Sequence, residues 1–208
     1  MQDRSPIQPM ARRHARQVAD LHRWGIVTGF LSSLGVMFLR QLYTAIPSCP
    51  SGFGYVWEEP DGEVLGFVAC AESTGRVYKQ GLLRRGVLMA LPLARFVFRP
   101  SVIRRLWHTL RYPSRVGADL PRAEILSIVV ADRARGRHVG KRLMAAAFDE
   151  FARRDIGSLK VAVGADNEAA NGFYRSCGFS LAVTREHHGL PMNVYVVDLR
   201  TSGGIAEV

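Results

Sequence analysis

Near the start of the chain, apolar residues recur every three or four positions, which is the spacing of an amphipathic helix. The pattern predicts two helices, over residues 11–24 and 30–46, after a short strand around Ile7. The second helix has the cleaner apolar stripe, and it ends at Pro47 because proline has no backbone N–H to donate.

Other apolar runs predict strands. Residues 53–58 and 64–71 are predicted to form a hairpin, because the turn-forming sequence Pro60-Asp61-Gly62 separates them. Residues 124–130 carry few polar side chains, which is typical of a strand buried on both faces. The remaining predicted elements are helices at residues 140–153 and 168–177 and strands at residues 159–163, 179–184 and 193–199. This alternation favours an α/β or α+β layer fold in one domain, residues 1–208.

Composition supports a folded protein. The chain has 208 residues, of which 48% are hydrophobic, and this suits one domain with a full core. It contains no apolar run long enough to cross a membrane, and its first residues do not resemble a signal peptide. The three cysteines are scattered and form no C-x-x-C pair, which argues against a disulfide framework and a structural zinc site. We therefore expect a cytoplasmic protein.

The net charge of +10 favours anionic partners, whether phosphates, nucleic acid or an acidic membrane surface. Much of this charge lies in residues 73–118, a helix-like stretch that has no acidic residue and is interrupted by Pro92, Pro100 and Pro113. We interpret this stretch as a basic helical insertion in the domain. Its mixture of arginines and large apolar residues fits peripheral contact with an anionic membrane, a lid over a binding pocket, or a solvated helix packed on the domain.

The strongest chemical signal lies between the predicted strand at residues 124–130 and the following helix. Residues 131–141 read Ala-Asp-Arg-Ala-Arg-Gly-Arg-His-Val-Gly-Lys. A glycine-containing turn at a helix start leaves backbone N–H groups free at the positive end of the helix dipole, where a pyrophosphate fits. The glycine spacing differs from that of a P-loop, and the dinucleotide fingerprint G-x-G-x-x-G is absent.

A second segment, residues 166–179, makes the interpretation specific. Residues 135–140 resemble the R/Q-x-x-G-x-G/A loop of the GNAT superfamily of N-acetyltransferases. The N-x-x-A-x-x-F-Y-x-x-x-G-F segment of that superfamily resembles Asn167, Ala170, Phe173, Tyr174, Gly178 and Phe179. The two motifs occur in the family's order.

The resemblance implies a mixed, splayed central β-sheet flanked by helices, with acetyl-CoA wedged between two central strands. It implies that the backbone at Ile128, Val129 and Val130 binds the pantetheine arm and that Asn167 hydrogen-bonds the cofactor. The residues expected to wrap the pyrophosphate are Arg135, Gly136, Arg137, His138, Val139, Gly140 and Lys141. His138 departs from the family loop, which has glycine there, so a wider turn and a direct contact between His138 and the phosphate both remain open.

Two residues are candidates for catalysis. An alkylammonium group has a pKa near ~10, so a base must remove its proton before the amine attacks a thioester. Glu124 resembles the catalytic glutamate of the histone acetyltransferase branch, although it also suits a strand end or an arginine partner. The glutamate of the ribosomal-protein acetyltransferases is replaced by Ala162 here. Tyr174 resembles the acid that protonates the CoA thiolate, the alternative being a core tyrosine, and His187 and His188 fit a surface role better than catalysis.

These observations predict an acetyl-CoA-dependent N-acetyltransferase that acts by direct transfer to a primary amine on a small molecule or peptide, without a metal. The acceptor is expected to be anionic if the insertion steers it. The main alternative is a non-catalytic acyl-CoA-binding regulatory module. Nucleic-acid binding is disfavoured, because the arginines lie in a helix-like insertion rather than among strand aromatics. The sequence does not define an oligomeric state.

Overall fold

The computed structural model describes residues 5–27, 30–77, 80, 120–187 and 189–200. Only residues 73–77 and Gln80 of the predicted insertion at residues 73–118 belong to this set. His188 and the side chain of His187 also lie outside the described residues.

A mixed β-sheet forms the centre of the described structure. Its strands are β1 (Ile7–Pro9), β2 (Gly52–Glu58), β3 (Val64–Ala71), β4 (Ala123–Val130), β5 (Ser158–Gly164), β6 (Ser180–His187) and β7 (Leu190–Asp198). They are ordered β1-β2-β3-β4-β5-β7-β6 across the sheet. Every neighbouring pair is antiparallel except β4 and β5, which run parallel.

Helices cover both faces of this sheet. They are α1 (Ala15–Gly25), α2 (Phe30–Ser33), α3 (Val36–Ala45), α4 (Val139–Arg153) and α5 (Glu168–Ser176). One hydrophobic core joins α1 and α3 to the sheet, and a second joins α4 and α5 to it. This architecture confirms the predicted fold class.

The helix predicted over residues 30–46 is broken into α2 and α3. Gly35 lies at the break with a φ of 87°, a conformation that L-residues with side chains rarely adopt. The predicted helix at residues 11–24 instead begins with a 3-10 turn, Arg12–His14, and becomes α-helical at Ala15. The apolar stripe continues at helical spacing through the break, from Leu34 to Phe38, so periodicity alone does not reveal it.

The two cores explain why the sheet is held from both sides. On the α4 face, Leu143, Met144 and Phe151 are fully buried. On the opposite face, Leu39 of α3 and Phe67 of β3 are fully buried. Burying a side chain of this size contributes about 1.5–3 kcal/mol to folding, so both helical layers hold the strands firmly in register.

Candidate active site

The two parallel strands β4 and β5 are joined at only one end. Their register pairs Ala123 with Leu159, Glu124 with Lys160, and Ile125 with Val161, and the described ladder extends no further. From residue 127 to residue 130, β4 pairs only with β3 on its other side. The backbone groups that face β5 in this half of β4 therefore have no strand partner in the described part of the chain, although buried backbone polar groups require a hydrogen-bond partner. We call the resulting gap between β4 and β5 the fork.

An irregularity in β4 marks the point where the fork opens. The register between β3 and β4 shifts between Ala69 and Cys70, so Leu126 falls outside the pairing. An extra residue of this kind bends a strand and increases its twist. Ser127, which follows, donates a hydrogen bond from its hydroxyl to the carbonyl oxygen of Leu126 at 2.7 Å.

The open end of the fork leads to the start of α4. A 3-10 turn at Asp132–Ala134 follows β4, and α4 begins at Val139 without a side-chain cap or an acidic residue in its first turn. The first N–H groups of a helix have no intrahelical partner. In α4, which is 15 residues long, these groups form the positive end of the helix dipole and lie at the open end of the fork. The site favours an anion.

Two residues of the loop have left-handed backbone conformations, Gly136 with a φ of 76° and His138 with a φ of 58°. A non-glycine residue in this region costs about 1–3 kcal/mol, so the fold accepts strain at His138. Gly140 has a different role, because a Cβ there would lie 3.2 Å from the Phe173 ring. Glycine at this position lets α4 pack closely against α5.

Asn167 begins α5 and accepts a hydrogen bond from the Ala170 N–H at 3.0 Å through its Oδ1 atom. The side chain is exposed, and its Nδ2 group has no partner among the described residues. Asn167 is therefore a helix cap, and its amide can still donate a hydrogen bond to a ligand.

Asn171 is a buried residue one turn later in α5 that the sequence motifs did not indicate. Its Nδ2 group donates to the carbonyl oxygens of Gly164 at 2.9 Å and Asn167 at 2.7 Å. Its Oδ1 atom accepts from Asn193 at 2.8 Å and from the Tyr195 hydroxyl at 2.9 Å. Asn171 thus ties α5 to β5 and β7, and the only available signal was a polar residue on the apolar side of a predicted helix.

Tyr174 is buried among the rings of Phe173, Phe179 and Tyr195. Its hydroxyl forms no hydrogen bond with the described residues. Burial raises the pKa of Tyr174 well above its usual range, with a smaller contribution from the nearby Cys177. The phenol therefore remains protonated at neutral pH and can serve as a proton donor.

Glu124 lies at the closed end of the fork, where it is also buried. Thr74 donates a hydrogen bond to its Oε2 atom at 2.5 Å. Burial raises the pKa of Glu124, while Lys160 and the Thr74 hydrogen bond oppose this shift. The pKa of Lys160 is lowered by its own burial, and its Nζ atom donates to the carbonyl oxygen of Pro121. The sequence did not indicate Thr74 or Lys160, because neither the strand register nor the fold of residue 74 is encoded in a local pattern.

Glu124 and Tyr174 do not contact each other. The neighbours of Glu124 along β4, Ala123 and Ile125, point into the core that also contains Tyr174. Because side chains alternate along a strand, Glu124 points to the other face. The structure therefore places the two predicted catalytic residues on opposite sides of the sheet near the fork.

A sequence profile of the acetyltransferase (GNAT) family matches residues 26–179. The chain belongs to this family. Its fold is similar to an N-acetyltransferase from Staphylococcus aureus Mu50, with 18% identity, coverage of 93% of this chain and 97% of the other, and a TM-score of 0.60. A search of curated protein sequences finds no match.

Two further solved structures share the GNAT fold. A GCN5-related N-acetyltransferase from Kribbella flavida is 22% identical, with 93% and 98% coverage of the two chains and a TM-score of 0.59. Arabidopsis thaliana NAA60 in complex with acetyl-CoA is 14% identical, with the same coverage and TM-score.

In this GNAT chain the arginines of the phosphate loop are paired with carboxylates. Arg135 contacts Asp132 at 2.7 Å, and Arg137 contacts Glu59 at 2.8 Å. Arg133 pairs with Glu63. The electrostatic attraction of the loop for an anion therefore comes largely from its backbone N–H groups and from Lys141, which has no ion pair among the described residues.

Within the described ranges, no group of three or more His, Cys, Asp or Glu side chains is arranged to hold a metal ion. None of the helices in the same ranges is long and apolar enough to cross a membrane.

The raised pKa of Glu124 predicts a pH-dependent stability. Between its ordinary value of 4.5 and its higher folded-state pKa, the folded protein keeps a proton that the unfolded chain has lost. The contribution of Glu124 to stability therefore falls as pH rises through this window. Relative to Glu124→Gln, the wild type should lose ~1.4 kcal/mol for each pH unit that the window spans. Urea unfolding of both proteins from pH 4 to 7 measures this difference, and a constant difference would contradict the assignment.

Proposed function

We propose that this protein transfers an acetyl group from acetyl-CoA to a primary amine on a small molecule or peptide. The observation that carries the proposal is the fork between β4 and β5, which opens towards the uncapped start of α4 in a GNAT chain. An extended chain of amide groups fits the fork, and a diphosphate fits the helix start. Acetyl-CoA contains both.

In this proposal the pantetheine arm binds the unpaired edge of β4 at Ile128 and Val130. The backbone groups of Val129 face β3 instead, because hydrogen-bonded pairs alternate along the antiparallel ladder from the Ala131–Leu65 bond. The pyrophosphate accepts hydrogen bonds from backbone N–H groups between Gly136 and Lys141. The free Nδ2 group of Asn167 donates to the cofactor arm from the opposite side of the fork. Apart from the Arg137 N–H, which donates to the Ala134 carbonyl oxygen at 3.4 Å, this arrangement uses backbone groups that the described fold leaves without strand or helix partners.

Glu124 is the proposed general base. Burial makes its carboxylate a stronger base, because the charged form is less stable there than in water. The carboxylate takes a proton from the acceptor ammonium, directly or through water, and the free amine attacks the thioester carbonyl. The C–S bond then breaks with its electron pair on sulfur, and Tyr174 gives the departing thiolate a proton. The nitrogen of the new amide gives its extra proton to the resulting Tyr174 phenolate, directly or through water.

The transfer is proposed to be direct, without a covalent acyl-enzyme. Cys177 lies close to Tyr174, but burial raises the pKa of its thiol, so the reactive thiolate is disfavoured. Cys70 is fully buried, and the same effect raises its pKa strongly. Neither cysteine is suited to act as a nucleophile.

The pyrophosphate site can be tested at Gly136, where a Cβ would meet no atom within 4 Å. Gly136→Asp and Gly136→Asn add side chains of the same size at the same left-handed backbone position, but only Asp adds a negative charge. We expect Gly136→Asp to weaken acetyl-CoA binding at least about tenfold more than Gly136→Asn, because like charges repel at the helix start. Calorimetry measures both affinities. Equal affinities would place the pyrophosphate elsewhere.

The role of Tyr174 can be tested with Tyr174→Phe, which removes only a hydroxyl without a described hydrogen-bond partner. We expect kcat to fall roughly 100-fold, in the range found for general acids, while the Kd for acetyl-CoA stays unchanged. Acceptor-dependent release of the CoA thiol, screened over primary amines, measures kcat. An unchanged kcat would remove Tyr174 from the mechanism. Acetyl-CoA binding without turnover of any amine would instead support the non-catalytic module.

A further inference from the structure

A cavity of about 410 Å³ lies between the start of α1 and the facing side of α3. Its lining is rich in guanidinium groups and includes no carboxylate. The lining residues are Arg12, Arg13, Ala15, Arg16, Met37, Arg40, Gln41 and Thr44. We call this cavity the arginine groove.

Three arginines of the groove lie at the positive end of the α1 dipole, where positive charge is unfavourable. Arg12, Arg13 and Arg16 lie at or just before the start of α1, the positive end of that helix, where acidic residues are favoured. The first turn of α1 has no acidic residue. Helix stability therefore does not account for three arginines at this end, and Arg40 of α3 adds a fourth charge from the other wall.

Most of this charge is not neutralised. Arg13 contacts Glu58 at 3.0 Å. Arg12, Arg16 and Arg40 form no ion pair with any described residue, and their side chains are exposed. The arginines of the α4 loop differ, because Arg133, Arg135 and Arg137 each pair with a carboxylate. Unpaired guanidinium groups that share one concave surface are suited to bind an anion with several hydrogen-bond acceptors.

The other lining groups fit the same kind of ligand. Gln41 is half-buried, and its side-chain amide, which has no hydrogen-bond partner among the described residues, can donate to an anionic oxygen. The Thr44 hydroxyl already donates to the Arg40 carbonyl oxygen at 2.7 Å, which holds this side of the groove in place. Met37 is 51% exposed and gives the groove an apolar rim.

The arginine groove is separate from the α4 loop. Gly25, at the far end of α1, packs against Val129 of β4, since a Cβ on Gly25 would lie 2.5 Å from that side chain. With a rise of about 1.5 Å per residue, the groove at the start of α1 lies roughly 15 Å from this contact. Arg13 of the groove and Arg137 of the α4 loop pair with the adjacent Glu58 and Glu59, but α1 and α3 pack on one face of the sheet and α4 on the other. The groove and the α4 helix start are therefore two anion-attracting surfaces on opposite faces.

We propose that the arginine groove binds a multiply charged phosphate group, either a free diphosphate or phosphomonoester or the headgroup of an anionic lipid. This second site does not depend on the function proposed above. Inorganic pyrophosphate is the probe for the free ligand. Vesicles of phosphatidylcholine that contain about one-fifth phosphatidylinositol phosphate are the probe for the lipid.

The decisive variants are Arg16→Gln and Arg40→Gln, with Arg23→Gln as the matched control. Arg23 is exposed, lies two turns after Arg16 on nearly the same face of α1, and does not line the groove. Each groove variant should weaken binding of whichever probe the wild type binds by about tenfold in 0.15 M salt. Arg23→Gln should change the affinity less than twofold, because exposed charges farther apart than the Debye length, about 8 Å at this salt concentration, are largely screened. Calorimetry measures pyrophosphate binding, and vesicle flotation measures lipid binding.

Because pyrophosphate also suits the α4 helix start, Gly136→Asp is measured in parallel. If it retains pyrophosphate binding that Arg16→Gln loses, the groove is the site, whatever the outcome for acetyl-CoA. Binding of vesicles alone, lost in both groove variants, identifies the lipid source. Equal losses in Arg16→Gln and Arg23→Gln would show a diffuse charge effect and overturn the proposal. Failure of the wild type to bind either probe would also overturn it.

Discussion

The separation of β4 from β5 is the constraint on which the rest of the structure depends. Two parallel strands paired at Glu124 and Lys160 cease to pair after Ile125, although both continue for several residues. Each unpaired backbone group inside a protein carries a desolvation cost. The sheet remains open because β3 holds one edge of β4, β7 holds one edge of β5, and helices cover both faces.

The chemistry proposed for the site follows from the same separation. Closed pairing at one end buries Glu124, and this burial raises the pKa of the glutamate although Thr74 and Lys160 oppose the shift. The open end leads to a helix start that no side chain caps. The loop between them contains strain at His138 and close packing at Gly140. His138, at the position where the resemblance leads us to expect glycine, is left-handed, so the loop accepts an energetic cost there.

Much of this architecture could be predicted from local sequence patterns. The spacing of apolar residues, with the glycine and proline residues that end elements, indicated the strand at residues 124–130 and the helices on either side of residue 160. The two motifs indicated the family. Features that depend on contacts between distant residues could not be predicted. The pairing of Glu124 with Lys160 requires the strand register, and the network around Asn171 requires β5 and β7 to meet α5. The break at Gly35 depends on a backbone angle that the apolar stripe does not encode.

The central claim is that the unpaired edge of β4 binds the amide arm of acetyl-CoA. Amide hydrogen exchange, followed by NMR with and without saturating acetyl-CoA, tests it most directly. The account predicts that exchange slows at least about tenfold at one or both of Ile128 and Val130, because a new hydrogen bond must open before exchange. The amides of Glu124 and Lys160 in the paired end should change little. Saturable binding of acetyl-CoA that leaves the exchange of residues 126–130 unchanged would contradict the account.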